Sequence, residues 1–374
     1  MKFIVNLVRV LVGVLFIFSG LVKANDPLGL SYKMQEFFEV WGWHGLNQFT
    51  LAFSVAMIAF EIVAGVALLV GWQIRLFIWL LLLLILFFTF LTGYAVLTDK
   101  IKECGCFGDC IKLTAMQSFL KDLLLMALIL FLFFTQKHIK PLFSGYQNVA
   151  VLFFSTVATL SFMWYALHFL PPVDCLPYKT GVSITEGMKP PKGSIPDSSV
   201  ITFVYQVAGK EVEFSADKFP ADFNDSTYTY LRRYDKIVRQ GNMMPAIKDF
   251  SLTDTSGQIV TDSILQIPGY KLFLFVRHEY HTGEWMDLAD IIMAHAAERK
   301  IPGMLITSIS RSDLGANQPS LFKRMPWYTC DATAIKTAAR ANPTLYLLKG
   351  DVIVQKWSYA DMESAAKYIN QLNP

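Results

Sequence analysis

The first 170 residues alternate between long, almost uncharged apolar runs and short polar links, whereas the rest shows short β-type runs and helical periodicity between polar turns. Five windows are apolar over roughly the 20 residues that a helix needs to cross a bilayer: Phe3 to Val22, Phe49 to Gly71, Ile74 to Leu97, Leu113 to Thr135 and Tyr146 to Leu170. The link around Gly71, Trp72 and Gln73 is short enough to force spans two and three into a hairpin. The stretch Met1 to Ala24 has the basic start and apolar run of a secretory signal. Lys23, however, sits where a cleavage site needs small neutral residues, so a retained first span is expected.

After Leu170 the pattern breaks at Pro171-Pro172, and a Pro/Gly/Ser-rich stretch through Ser199 reads as a linker or an irregular cap. Ile201 to Val207 and Lys210 to Phe214, joined at Ala208-Gly209, predict a β-hairpin. From Asn242 onward the order is β, α, β, α, β, β, α. The strands are Leu272 to Val276, Met304 to Ile309, Leu345 to Leu348 and Val352 to Trp357. The helices lie near Trp285 to Arg299, near Ala332 to Arg340 and from Asp361. No internal repeat or low-complexity tract interrupts this order.

Composition supports two solvents for one chain. Hydrophobic residues are 53% and charged residues 17% of the whole, too apolar for a soluble protein of ordinary make-up. Residues 1–170 carry 11 Lys or Arg and 8 Asp or Glu, and residues 171–374 carry 22 of each. The net charge of +3 thus belongs to the apolar half, and the absence of a basic field excludes a nucleic-acid partner. With a cytoplasmic N-terminus, Lys2, Arg9, Arg75, Lys137 and Lys140 fall on the cytoplasmic side without acids. Asp26, Glu36, Glu39, Asp99, Glu103 and Asp109 then fall opposite, a modest positive-inside bias. Five spans place the polar C-terminal half outside the cytoplasm, where disulfides persist.

The densest chemistry is Cys104-Gly105-Cys106-Phe107-Gly108-Asp109-Cys110, which holds three of the five cysteines between spans three and four. Thiol exchange needs an accessible thiolate and a resolving sulfur nearby, and the glycines let this loop fold back on itself. The loop reads as a redox pair, as a structural disulfide, or as a zinc site with Asp109, although its spacing fits zinc poorly. Cys175, just beyond span five, is a resolving or structural partner for a loop cysteine, and Cys330 reads as a lone buried thiol. Glu61 falls near the middle of its span, where a carboxylate marks function or a buried pair. Arg9 is the expected partner, reaching towards it from span one, while Lys23 is expected to snorkel. Asp122 in span four is a second candidate proton carrier.

The membrane half resembles the DoxX superfamily and within it the MauE-like branch. The resemblance rests on Arg9, Gly13, Ser19-Gly20, Lys23, Glu61, Gly65, Gly71 and the Cys104-Gly-Cys-Phe-Gly108 string. It implies a four-helix membrane bundle over residues 1–140 concerned with thiol or sulfur oxidoreduction, with a quinone as possible cofactor, and for MauE with disulfide formation in an extracytoplasmic partner. Residues 141–170 would add a fifth transmembrane helix and 171–241 a linker and hairpin region. Residues 242–374 resemble a thioredoxin fold of the TlpA or peroxiredoxin type, on Pro245 to Asp254, Gly257 and Asn342-Pro343-Thr344 to Leu348. That resemblance implies a cis peptide at Pro343. The Cys-x-x-Cys expected after the first core strand is replaced by Arg277-His278-Glu279-Tyr280-His281. His278 and His281 read as exposed helix-start residues, since a pair of ligands does not make a metal site. The implied protein is a multi-pass bacterial inner-membrane thiol–disulfide redox protein with a periplasmic C-terminal domain and a protein thiol or disulfide client. The alternative is a non-enzymatic scaffold or assembly factor that binds protein through its thioredoxin-like domain.

Overall fold

The computed structural model describes every residue except 1, 99–107, 112, 197, 225, 240, 278–282, 312, 314–318 and 373–374. Its apolar half comprises α1 (Lys2–Ala24), the shorter α2 (Pro27–Val40), α3 (Thr50–Val70), α4 (Ile74–Thr98), α5 (Ala115–Thr135) and α6 (Gly145–His168). All but α2 are long and apolar enough to cross a membrane. Leu7, Leu83, Phe90, Leu124 and Phe153 point outward, as a lipid-facing surface requires, while Arg9, Lys23, Glu61 and Asp122 are buried inside the bundle.

Two glycines set how α1 and α3 meet. A Cβ at Gly65 would lie 2.9 Å from the Gly13 carbonyl oxygen, so only glycine permits this backbone approach. Gly20 likewise abuts Ile62. In this antiparallel register Arg9 stands level with Gly71 and Lys23 level with Glu61. The expected Arg9–Glu61 pair therefore does not form. Arg9 donates instead to the Lys140 carbonyl at 3.2 Å, closing the end of the bundle where Gly71 terminates α3 in the left-handed region.

Helix α2 was not anticipated from hydropathy. Asp26 caps it by accepting from Gly29 N at 3.0 Å, with Pro27 in the first turn. It buries Leu30, Ser31 and Phe37, and Ser31 donates to Thr50 at 2.9 Å to fix it on α3.

Beyond α6 the chain forms α7 (Ile184–Gly187), then β1 (Ser198–Val207), β2 (Lys210–Ser215) and β3 (Thr229–Arg239) in a sheet of order β2-β1-β3. Ala208 and Gly209 both take positive φ, the geometry that closes a two-residue hairpin. The remaining elements are α8 (Thr261–Leu265), β4 (Tyr270–Val276), α9 (Glu284–Glu298), β5 (Gly303–Thr307), α10 (Ser320–Arg324), β6 (Trp327–Thr329), α11 (Ala332–Ala338), β7 (Thr344–Lys349), β8 (Val352–Ser358) and α12 (Met362–Gln371). Their sheet has the order β6-β5-β4-β7-β8, with β5 parallel to β4 and β7 antiparallel to it. Helices α9 and α12 cover one face through Ala289, Ile292, Ala365 and Ile369. Ala334, Ile335 and Ala338 of α11 cover the other with Tyr178, Ile184 and Ile247.

Leaving aside α10 and the edge strand β6, the order β4-α9-β5-α11-β7-β8-α12, with β4 central and the Asn342–Pro343 peptide cis just before β7, is thioredoxin-like in topology. Of the two readings of the Pro/Gly/Ser-rich stretch, the cap is realised at its start. Tyr178 and Ile184 enter the core, and Gly181 and Ile184 bond to Ile353 and Asp351 along the edge of β8.

Candidate functional site

Four segments converge at the end of the bundle opposite Arg9. They are the α1–α2 junction, the described end of the cysteine loop, the residues after α6 and the C-terminal end of α11. Cys110 is bonded to Cys175, with the Cα atoms 4.8 Å apart. Asn25 clasps this crossing: its Oδ1 accepts from Val173 N at 2.9 Å and its Nδ2 donates to Val173 O at 2.8 Å. The same Nδ2 lies 4.0 Å from Cys110 Sγ. Cys104 and Cys106 lie outside the described residues, as do His278 and His281. Cys330 is a buried free thiol in the core, which burial pushes up to about 11.

Arg340 joins the two halves. Its Nε donates to Asp26 Oδ2 at 2.8 Å, its Nη2 to Asp109 Oδ2 at 2.6 Å and its Nη1 to Lys336 O at 2.6 Å. The guanidinium lies 5.4 Å from the centre of the Tyr32 ring, and the Tyr32 hydroxyl also receives a bond from Arg277. Burial opposes the Arg340 charge, yet the two carboxylates outweigh it and hold the group above its usual value. Burial also raises Asp26 above the ordinary carboxylate range, with Arg340 only partly offsetting it. Arg277 follows β4 directly and cis Pro343 precedes β7, so the end of the thioredoxin-like core where a dithiol would stand is turned onto α2 and the cysteine loop.

Below this junction a cavity of about 290 Å³ opens among α1, α3, α4 and α5. Lys23 Nζ meets Glu61 Oε2 at 2.7 Å within it, the two side chains being 2% and 3% exposed. Lys23 therefore does not snorkel; it is drawn inward, 4.8 Å from the centre of the Phe88 ring. Asp122 lines the same cavity, bonded by Lys121 at 2.9 Å and by Thr92 Oγ1 at 3.1 Å. Glu61 and Asp122 thus share one largely apolar chamber, whereas Arg9 and Pro343 stand apart from it. Phe88 and Thr92 also line a second cavity of about 430 Å³, walled by Leu30, Phe37, Trp41 and Phe60. Among the described residues no His/Cys/Asp/Glu group could hold a metal ion.

Sequence reasoning missed the Arg340 clamp and the Lys23 partner. Asp26-Pro27 was a legible cap, but nothing along the chain pairs residue 26 with residue 340.

The structure thus joins a helical membrane bundle with a buried carboxylate chamber to a thioredoxin-like domain through a disulfide. Residues 1–135 match the family model described as methylamine utilisation protein MauE, and the chain is a multi-pass membrane protein. Residues 199–240, the β1–β3 sheet, match a domain of unknown function, DUF8463. A solved structure described as "Identification of a disulfide switch in BsSco, a member of the Sco family of cytochrome c oxidase assembly proteins" is similar over 34% of this chain and 94% of that one, at 13% identity and a TM-score of 0.22. A search of curated proteins finds no match.

Proposed function

We propose that this chain is a membrane thiol–disulfide redox protein that oxidises thiols of an extracytoplasmic protein client at its cysteine loop and delivers the electrons into the helical bundle. The carrying observation is the chamber of Lys23, Glu61 and Asp122 lying on the same side of the bundle as the Cys110–Cys175 disulfide. A client dithiol reduces a loop disulfide by exchange: each new S–S bond replaces an old one, the client loses two electrons and two protons, and the loop gains a dithiol. A quinone bound in the bundle would supply the two-electron, two-proton acceptor that reoxidation requires. The residues fit such a group, because the chamber holding Lys23, Glu61 and Asp122 adjoins the aromatic, apolar cavity across Phe88, so that a ring oxygen could meet a charged side chain while an apolar tail lies among aromatic ones. Glu61, paired with Lys23, and Asp122 would carry the protons between loop and chamber.

The gathering of Arg9, Arg75, Lys137 and Lys140 at the far end supports an extracytoplasmic redox face. The scaffold reading draws on one observation, that Cys110–Cys175 ties the two halves together as a structural brace would.

The test uses the purified full chain in nanodiscs with dithiothreitol and a water-soluble quinone analogue. Quinone reduction is expected in the wild type and lost in Cys104→Ser/Cys106→Ser. Glu61→Gln should slow it while leaving single-turnover thiol oxidation intact. Absence of both quinone reduction and thiol oxidation by the oxidised wild type overturns the proposal in favour of the scaffold.

A further inference from the structure

A cavity of about 430 Å³ lies between α2 and the thioredoxin-like domain, and Cys175 lines it whereas Cys110 does not. Both cysteines are half-buried, and the disulfide has Cys175 at the wall of this space and Cys110 beside Asn25. Asn25 is 5% exposed, and Val173 fixes its amide at both ends, which aims the remaining amide proton at Cys110 Sγ.

The walls fit a varied polypeptide better than a single small solute. Met244, which is exposed, joins Leu176 and Pro177 as apolar contact, and methionine adapts to differing partners. Lys33 and Glu36 on the α2 side face Lys248 and Asp249 on the other, so charges of both signs are accommodated and neither dominates.

We infer that this cavity is the docking pocket for an extended, cysteine-bearing segment of a protein not yet folded, whose thiolate attacks Cys175 with Cys110 as the leaving sulfur. The inference rests on the redox reading above and names its client and point of attack. The client sulfur bonds to Cys175 Sγ as the Cys175–Cys110 bond breaks, and Cys110 departs as a thiolate towards the Asn25 amide. A second client thiolate then attacks the client sulfur of the mixed disulfide and expels Cys175. The client ends oxidised by two electrons, the Cys110–Cys175 pair ends reduced by two, and the client's two thiol protons pass to the leaving sulfurs or to solvent. In thiol exchange the sulfur attacked is set by access, and stabilising the leaving thiolate speeds its departure; the geometry assigns the first to Cys175 and the second to Cys110.

The test compares full-length Cys110→Ser and Cys175→Ser, which lose the same tether and leave one sulfur each. The probe is an unstructured fluorescent peptide with one central cysteine, activated as its thionitrobenzoate disulfide. Labelling of Cys175 in Cys110→Ser should exceed labelling of Cys110 in Cys175→Ser by about tenfold or more. In the intact disulfide protein, Thr333→Trp at the pocket wall should suppress reaction with the reduced peptide while dithiothreitol still reacts.

Equal labelling of the two variants, faster labelling of Cys110, or indifference to Thr333→Trp overturns the inference. Equal reaction with glutathione disulfide and with the peptide in Cys110→Ser overturns the peptide assignment. If dithiothreitol-driven quinone reduction persists through any of these outcomes, only the pocket assignment has failed. If Cys175 selectivity holds but no quinone is reduced, only the electron route has failed.

Discussion

Removing the Arg340 charge as Arg340→Met should loosen the join between bundle and thioredoxin-like domain, and unevenly with respect to its two carboxylates. The Arg340 side chain is 5% exposed, Asp26 10% and Asp109 29%. A buried carboxylate that loses its cation typically costs about 3–5 kcal/mol, because the charge cannot return to water. Asp26 is close to that case, although its bond from Gly29 N remains, which lowers the expected coupling to about 3 kcal/mol. Asp109 can be resolvated in place, so its coupling should be about 1 kcal/mol, near that of an exposed pair.

Double-mutant cycles with Asp26→Asn and Asp109→Asn would give both couplings, read from hydrogen-exchange opening free energies of α2 and α11 amides in the full chain. A coupling to Asp109 equal to or above that to Asp26, or two couplings below about 0.5 kcal/mol, would refute the reasoning. The pH dependence adds a sign. Burial holds the Asp26 carboxyl above its unfolded value, so the folded state binds the proton more readily. The Asp26 contribution to stability therefore increases as pH falls through the carboxylate range and declines as pH rises, the reverse of a salt-bridged carboxylate with a lowered value. Asp26→Asn should remove that slope.

Glu61→Met should lower thermal stability in detergent by about 3 kcal/mol by leaving Lys23 unpaired, and Lys23→Met/Glu61→Met should regain most of it, measured by fluorescence melting; a double variant as unstable as the single would contradict this. Reducing Cys110–Cys175, which closes a 65-residue separation, should cost at most about 4 kcal/mol on the chain-entropy account, less if the spans stay helical when the protein opens. Differential scanning fluorimetry with and without reductant checks that limit, and Cys110→Ser should show no shift of this kind. Cys330, buried and pushed up to about 11, should resist iodoacetamide at pH 8 in the folded protein, with about one thiol in a thousand ionised, and should react fully after denaturation, as peptide mass spectrometry would show.

The five spans were legible because each is an almost uncharged apolar run of bilayer length, a signal independent of what the helix packs against. The hairpin was legible in Ala208-Gly209, where the turn demands positive φ from both residues. What hydropathy could not supply is the rotation and relative height of neighbouring helices. A rise of about 1.5 Å per residue made Arg9 and Glu61 look mutually accessible, while the Gly13–Gly65 and Gly20–Ile62 contacts raise Lys23 into that position instead. Strand β3 escaped notice because the charges of Arg232, Arg233 and Asp235, all exposed to solvent, obscure its alternation. Helix α2 is too short to span and too polar for a hydropathy window, although Asp26-Pro27 marked its start. Contacts such as Arg340 to Asp26 join residues far apart in sequence and leave no local trace.

The loss of Cys-x-x-Cys becomes intelligible in terms of what replaces it. In this chain the end of the thioredoxin-like core that would carry a dithiol carries Arg277 and Arg340, both directed at the bundle. Two arginines there serve to hold, because a guanidinium binds carboxylates and rings in fixed geometry but cannot exchange electrons. The sulfur stands a few residues away on the partner surface: Asp109, which Arg340 grips, directly precedes Cys110, and Cys175 follows the last span. On the proposed function, docking and redox chemistry are therefore carried by adjacent residues of one loop. Breaking the Cys110–Cys175 bond would free the loop on one side while Arg340 still holds it through Asp109 on the other. The cysteine loop would remain positioned above the Lys23–Glu61 chamber through a cycle of reduction and reoxidation, which a domain held by the disulfide alone could not ensure.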